Sequence, residues 1–132
     1  MRLAMSLTVS EDLLRQAQRG AVSDADFIDC IRTSLPYAWS VVCEVANKLS
    51  SNGVEFADNQ TPPPDEQARG QLLRLVASDA MRAAVERHFG VRVAFQNCHR
   101  LAMFHPTARH AYDDFVTPRA ALLNQRPEFV NC

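Results

Sequence analysis

The side chains with the most reactive chemistry in this chain stand together at Cys98, His99 and Arg100. A cationic neighbourhood favours the nucleophilic thiolate form of a cysteine, so Cys98 could carry thiol chemistry beside His99. No third group stands at a spacing that would orient His99, and a nucleophile triad is therefore not indicated. The other interpretation is that Cys98 is an ordinary turn residue. A small thiol-dependent enzyme is thus an alternative hypothesis and not the first one.

Cysteine and histidine are also the usual ligands of zinc, which takes four ligands in a tetrahedron. The chain contains 4 of each, but no two stand at the paired CxxC or HxxxH spacing of a zinc site. Cys30 and Cys43 fall inside predicted helices, where cysteine is usually a small buried hydrophobe. We therefore expect no cofactor, with zinc as the alternative. The candidate zinc ligands are Cys30, Cys98, His99 and Cys132, with His105 as a further one.

A polar loop from Phe56 to Glu66 carries several carboxylates and three consecutive prolines. Carboxylates in a stiff loop can bind a hard cation or act as general acid and base, but the spacing does not match a calcium loop. Side-chain turns and the dipole of a following helix explain the same residues structurally. Because binding sites concentrate in structured loops, we expect a binding surface here and at the Cys98-His99 turn. The predicted binding residues are Asp58, Asn59, Thr61, Asp65, Glu66, Arg69, Gln96, Cys98, His99 and Arg100.

Arginines on one predicted helix could contact DNA, because a guanidinium binds phosphate with two hydrogen bonds. The candidates are Arg69, Arg74 and Arg82. Asp79 and Glu86 both lie within one helical turn of Arg82, which is the pattern of a paired, solvated face. The formal net charge of −1 also removes any overall attraction to nucleic acid. The sequence therefore disfavours nucleic-acid binding, and a DNA-binding regulator is the third hypothesis.

Most of the elements that must position these residues are predicted helices. Ser10 and Ser23 stand where a side chain caps a helix start, and Thr33 or Ser34 could cap a third helix that enters through Pro36. Residues Phe56 to Pro64 follow neither the helical nor the strand period, which predicts a loop. The predicted helices are Glu11 to Arg19 with the apolar face Leu13, Leu14 and Ala17, the segment after Ser23, Pro36 to about Ser50, and one long helix from Asp65 to about His88.

A β-hairpin is predicted near the end of the chain. Val91 to Phe95 alternates apolar and other residues, Arg100 to Phe104 is a second apolar run, and Asn97-Cys98-His99 forms the turn. A lone hairpin is marginally stable in water, so it must pack on the helices or join a partner's strands, which predicts a homodimer. Two short helices, Thr107 to Asp114 and Thr117 to Asn124, are predicted after it.

Length and composition fit one domain covering residues 1–132. The chain has 47% hydrophobic and 22% charged residues, the proportions of an ordinary globular protein. It contains no secretory signal pattern and no apolar run near the roughly 18 residues of a membrane helix. The low cysteine content predicts the reducing cytoplasm. The predicted fold class is α+β, a predominantly helical single domain with one C-terminal β-hairpin.

Four blocks of residues form a distinctive pattern: Phe56 to Glu66, Arg69 to Arg74, Ala77 to Ala80 and Phe95 to Arg100. This pattern resembles a small actinobacterial family, of the kind found in streptomycetes, whose single-domain members have no known function. The likeness runs over nearly the whole chain, which makes it more specific than any single motif. The resemblance implies no activity and provides no functional residues.

The residues themselves favour a role without catalysis. We expect a small cytoplasmic accessory or regulatory protein that binds a protein partner or a small ligand through the Phe56 to Glu66 loop and the Cys98-His99 turn. A small metal- or thiol-dependent enzyme and a DNA-binding regulator are the alternatives. Convergence of this loop and this turn on one concave, apolar-lined pocket with perturbed titratable groups would be the usual form of a small-molecule site.

Overall fold

A computed structural model describes residues 7–51, 53–97 and 99–125, and the α+β, mostly helical class is confirmed there. Within these ranges, no helix has the length and apolar character needed to cross a bilayer. The helices are α1 (Glu11–Gln18), α2 (Asp24–Ser34), α3 (Pro36–Ser51), α4 (Glu66–Ala77), α5 (Asp79–Phe89), α6 (Arg109–Phe115) and α7 (Pro118–Leu123), and the strands are β1 (Phe56–Asp58), β2 (Arg92–Gln96) and β3 (Arg100–Phe104).

The sheet has three antiparallel strands in the order β1-β3-β2, so the predicted single C-terminal hairpin is incomplete. The hairpin itself is confirmed, with Gln96 opposite Arg100 and a left-handed Asn97 (φ 55°) in its turn. The loop predicted from Phe56 to Pro64 is wrong at its start, because Phe56–Asp58 pairs with the other edge of β3. A segment of 3 residues is too short to show the two-residue period of a strand. Phe56–Asp58 becomes a strand only by pairing with β3.

The central strand β3 is buried on both faces and separates two apolar clusters. Leu101 and Met103 point toward the larger cluster, which contains the buried residues of α3, whereas Ala102 and Phe104 point to the other side. This alternation is the ordinary consequence of the strand period. Phe115 of α6 joins Phe104 in the smaller cluster. The sheet is therefore covered by helices on both faces.

The long helix predicted from Asp65 to His88 is wrong, because the chain breaks into α4 and α5 at Ser78. This residue has an extended backbone (φ −88°, ψ 115°), and its hydroxyl accepts a hydrogen bond from the Met81 N–H. Arg82 spans the break, donating from Nη1 to the Val76 carbonyl at 2.8 Å and from Nη2 to Asp79 at 2.7 Å. The apolar period continues across Ser78, which is why periodicity alone misses the break.

Replacing Ser78 with Ala should lower the free energy of unfolding by about 1 kcal/mol, because the helix cap of α5 is lost. Denaturant titration measures this loss as a lower midpoint with an unchanged slope. Ser51→Ala is the matched control, since Ser51 is an exposed hydroxyl that donates to the Asn47 carbonyl at the end of α3. An equal effect of the two substitutions would contradict the capping role of Ser78.

The starts of the first three helices are set by two kinds of cap. Ser10 and Ser23 accept hydrogen bonds from the Leu13 and Asp26 N–H groups, as predicted. The cap predicted for α3 is wrong, because Thr33 and Ser34 both belong to α2. The Gln71 side chain, on α4, instead accepts from the Tyr37 and Ala38 N–H groups at 2.8 and 3.3 Å. The start of α3 is thus completed by a distant residue, which local sequence does not reveal.

Candidate functional site

A group of predicted binding residues comes together where β1 ends and β3 begins, and we call Asp58, Asn59, Gln96, His99 and Arg100 the polar brace. Its centre is an ion pair in which Arg100 Nε donates to Asp58 Oδ2 at 2.6 Å and Nη2 lies 2.5 Å from the same oxygen. The side chains are only 16% and 6% exposed for Arg100 and Asp58. The pair is therefore largely removed from water.

The remaining polar atoms around this ion pair bind one another. Arg100 Nη1 donates to Gln96 Oε1 at 3.1 Å, and Gln96 Nε2 donates to the Phe115 carbonyl at 3.1 Å. Gln60 Nε2 donates to Asp58 Oδ1, and Lys48 Nζ donates to the Asp58 carbonyl at 3.4 Å. The hydrogen-bonding capacity of Asp58 and Gln96 is thus used inside the protein, and it links the sheet to α6 and α3.

Asn59 continues the pairing of β1 with β3 beyond the end of the strand. Its N–H donates to the Leu101 carbonyl at 3.3 Å, and its Oδ1 accepts from the Leu101 N–H at 2.8 Å. Its Nδ2 donates to the carbonyl of His99, a buried residue of the hairpin turn, at 2.8 Å. The amide therefore holds the hairpin turn against β1.

The other predicted binding residues have local roles at the start of α4. Asp65 accepts the Ala68 N–H at 2.8 Å as a helix cap, and Glu66 pairs with Arg69 at 3.6 Å. The carbonyl of Thr61 lies 3.5 Å from Asn59 Nδ2. Cys98 lies outside the described residues. Binding at the polar brace and this loop stays a prediction. The contacts described there join parts of the protein to one another and stabilise the fold.

The candidate metal ligands are spread over the fold as far as it is described. No three His, Cys, Asp or Glu side chains among the described residues meet as a ligand group. Cys30, on α2, donates its thiol to the Thr8 carbonyl at 3.4 Å, whereas His99 lies at the hairpin turn. Burial raises the pKa of the Cys43 thiol on α3, which suits a packing residue. Cys132 lies outside the described residues, and zinc stays a prediction.

Two of the three arginines proposed for DNA contact, Arg69 and Arg82, pair with carboxylates on their own helices. Arg82 pairs with Asp79 at 2.7 Å, and Arg69 pairs with Glu66. Glu86 accepts the Val93 N–H at 2.9 Å, at the edge of β2. The Gly70 backbone lies against Arg74, whose Nη1 would be 3.8 Å from an added Cβ. These arginines occupy a mixed-charge surface and not a uniformly basic one.

A cavity of about 530 Å³ opens between α1, α2 and α5, and we call it the apolar groove. Its walls are apolar side chains from three parts of the chain, with Cys30 among them. The apolar lining includes Leu7, Val9, Leu13, Phe27, Ala80 and Ala83.

One ion pair, Asp24–Arg87, lies at the groove. Arg87 Nε donates to Asp24 Oδ2 at 3.1 Å and Nη2 donates to Oδ1 at 3.0 Å. These hydrogen bonds lower the pKa of the Asp24 carboxyl and raise that of the Arg87 guanidinium. Both side chains are exposed. The groove therefore combines apolar walls with an exposed guanidinium–carboxylate pair, to which a polar group of a ligand can hydrogen bond.

The groove was not predicted from the sequence, although some of the apolar residues that line it were identified there. The apolar face predicted on α1 is correct for Leu13, which is buried and lines the groove, whereas Leu14 is 50% exposed and Ala17 lines the groove as an exposed residue. Ala80 and Ala83 lie in the second half of the segment predicted as one long helix. Their exposure to a groove depends on the break at Ser78 and on how α1 packs, which no local pattern records.

The comparisons with known proteins yield a family and no activity. A family model described as "NucS shadow ORF" matches residues 5–132. No curated protein and no solved structure matches the chain. The expected membership of an uncharacterised family is confirmed to that extent, because the description names no activity.

Proposed function

Because the chain belongs to the NucS shadow ORF family, whose description names no activity, we propose its function from its site. The protein is a non-enzymatic binding protein that holds a small apolar ligand in the apolar groove. The observation that carries this proposal is the cavity of about 530 Å³ with its apolar lining. Small-molecule sites usually enclose about 300–1,000 Å³ and are lined by apolar side chains with few polar groups.

The dimensions of the groove favour a small molecule over a partner helix. Helix α1, which forms one wall, has 8 residues, and a helix of that length extends about 12 Å. A docked partner helix usually presents anchors over several turns, which needs a longer wall. The ligand that fits is therefore a compact apolar molecule. A polar end on that molecule could hydrogen bond to Arg87 or Asp24 at the groove.

A fluorescent probe tests this proposal. Anilinonaphthalene sulfonate has an apolar body and one anionic group, and its fluorescence rises when it binds an apolar site. Ala83→Phe fills the groove and should weaken probe binding about tenfold or more, the factor that corresponds to about 1.4 kcal/mol. Fluorescence titration of the folded wild type and variant measures the two dissociation constants.

Ala25→Phe provides the matched control, because Ala25 is an exposed α2 residue outside the groove lining. This variant should bind the probe as the wild type does. Thermal unfolding of each protein verifies that it is folded at the titration temperature. Wild-type affinity in Ala83→Phe would overturn the proposal, and so would equal weakening by both substitutions.

Nucleic-acid binding is a weaker candidate, because the arginines considered for it lie among carboxylates. Arg69 pairs with Glu66 and Arg82 pairs with Asp79, and a carboxylate repels phosphate. We therefore do not assign the arginines a nucleic-acid ligand.

Several finer expectations remain part of the proposal. An accessory or regulatory role follows from ligand binding without catalysis. The low cysteine content supports the cytoplasm, and the residue blocks from Phe56 to Arg100 support an actinobacterial origin. The predicted homodimer rested on a hairpin in need of a partner. Because β1 adds a third strand within the chain, that argument is weaker, and the dimer stays a prediction.

A further inference from the structure

Helix α1 is attached to the rest of the protein by few contacts. Leu13 is its only buried residue, and this side chain lines the apolar groove. The extensive helix-to-helix contacts of the fold, such as α2 with α5 and α3 with α4, do not include α1. The helix that forms one wall of the groove is therefore the most weakly attached part of that wall.

One side chain in the last turn of α1, Gln16, fastens this helix to α2. Gln16 Oε1 accepts the Ser23 N–H at 2.9 Å, and Gln16 Nε2 donates to Asp26 Oδ2 at 2.7 Å. Nε2 also donates to Asp12 Oδ2, on α1 itself, at 3.1 Å. All of these bonds are exposed to water, which competes for each group. Exposed hydrogen bonds of this kind stabilise a contact only modestly.

The two ends of α1 are fixed in different ways: the chain before it is bonded to α2, and the chain after it closes the helix on itself. Before the helix, the Thr8 N–H donates to Ser34 Oγ at 2.8 Å, and its carbonyl accepts the Cys30 thiol. After the helix, Gly20 takes a left-handed conformation (φ 74°) that glycine adopts without strain. The Gly20 N–H donates to the Ala17 carbonyl at 3.0 Å, which closes the end of the helix. Thr8 is thus held to α2, and Gly20 is the left-handed residue at which α1 ends, so α1 can rotate between these two positions.

We propose that α1 is a lid on the apolar groove, hinged at Thr8 and Gly20 and fastened by Leu13 and Gln16. Rotation about the two hinges withdraws Leu13 and Ala17 from the groove and widens it for an entering ligand. Closure returns Leu13 to the apolar lining and restores the bonds of Gln16 to α2. This inference rests on the proposed function, because it regulates access to the same groove.

Cys30 reports the opening, because its buried thiol lines the groove beside Leu13. Gln16→Ala removes both side-chain hydrogen bonds to α2 and should accelerate iodoacetamide alkylation of Cys30 about fivefold, because exposed hydrogen bonds stabilise a contact only modestly. Peptide mass spectrometry of the ligand-free protein measures the rate at each cysteine separately. Gln18→Ala is the control, since Gln18 is an exposed residue at the last position of the same helix.

Cys43 on α3 separates lid opening from unfolding within the same samples. The proposal requires a faster reaction at Cys30 with an unchanged rate at Cys43. Equal acceleration at both thiols would show global opening and would overturn the lid, as would an unchanged Cys30 rate in Gln16→Ala. The probe titration with Ala83→Phe is independent of these rates, so failure of the lid and failure of the ligand site are distinguishable.

Discussion

Asp58→Asn is expected to lower the free energy of unfolding by about 3 kcal/mol, because it leaves the buried charge of Arg100 without its counter-charge. Asn has nearly the shape of Asp, so packing is preserved and the loss reports the electrostatic change. Arg100 is only 16% exposed, and water cannot easily solvate its guanidinium in place of Asp58. Denaturant titration followed by circular dichroism measures the loss.

The matched control is Asp24→Asn at the exposed pair with Arg87. The two pairs have the same chemistry and similar hydrogen bonds, but both members of the second pair lie in water. Exposed ion pairs contribute little, so this variant should leave the unfolding midpoint nearly unchanged. Similar losses in the two variants would refute the view that burial gives the Asp58–Arg100 pair its weight.

Phe104→Ala should cost about 3–5 kcal/mol of unfolding free energy, since it empties the centre of the smaller apolar cluster. The Phe104 ring stacks on Phe56 at a centroid distance of 5.1 Å and meets the edges of Tyr112 and Phe115, each at 5.4 Å. Because Tyr112 and Phe115 belong to α6, the cavity should also loosen that helix. Denaturant titration measures the stability, and near-ultraviolet circular dichroism detects loss of the fixed aromatic environment.

Phe56→Ala is the control for Phe104→Ala. It tests whether the large loss of stability depends on the buried position of Phe104. Phe56 stacks on the same ring, yet it is 37% exposed at the edge of the sheet. Its loss removes less buried surface and leaves a site that water can fill, so we expect less than half the effect of Phe104→Ala. A larger loss in Phe56→Ala than in Phe104→Ala would contradict the two-cluster description of the core.

The local parts of the fold could be predicted because their causes lie within a few residues. Ser10, Ser23 and Thr117 each cap a helix through an N–H three residues later, and such caps can be identified in the sequence. Ser78 and Asp79 carry the same signal, but the continuous apolar period obscured it. Strand β1 has no local cause, because its residues become a strand only through pairing with β3.

The polar brace and the apolar groove illustrate two different limits of sequence reasoning. The residues of the brace were predicted as binding residues, which stays a prediction, and the sequence does not show that Asp58 and Arg100, 42 positions apart, hydrogen bond to each other. The groove depends on the relative placement of Leu13, Phe27 and Ala83 on three helices. Each of these residues is an ordinary apolar residue by itself, so only the packing of the helices identifies it.

The cap that Gln71 provides makes the start of α3 depend on the docking of α4. The first turn of α3 has its N–H groups satisfied by a residue 34 positions later, so this turn is complete only after α4 has docked. A fragment that ends before α4 would carry α3 with a frayed start and an exposed apolar face. Helix α3 and the sheet-containing remainder should therefore fold and unfold as one cooperative unit and not as separable modules.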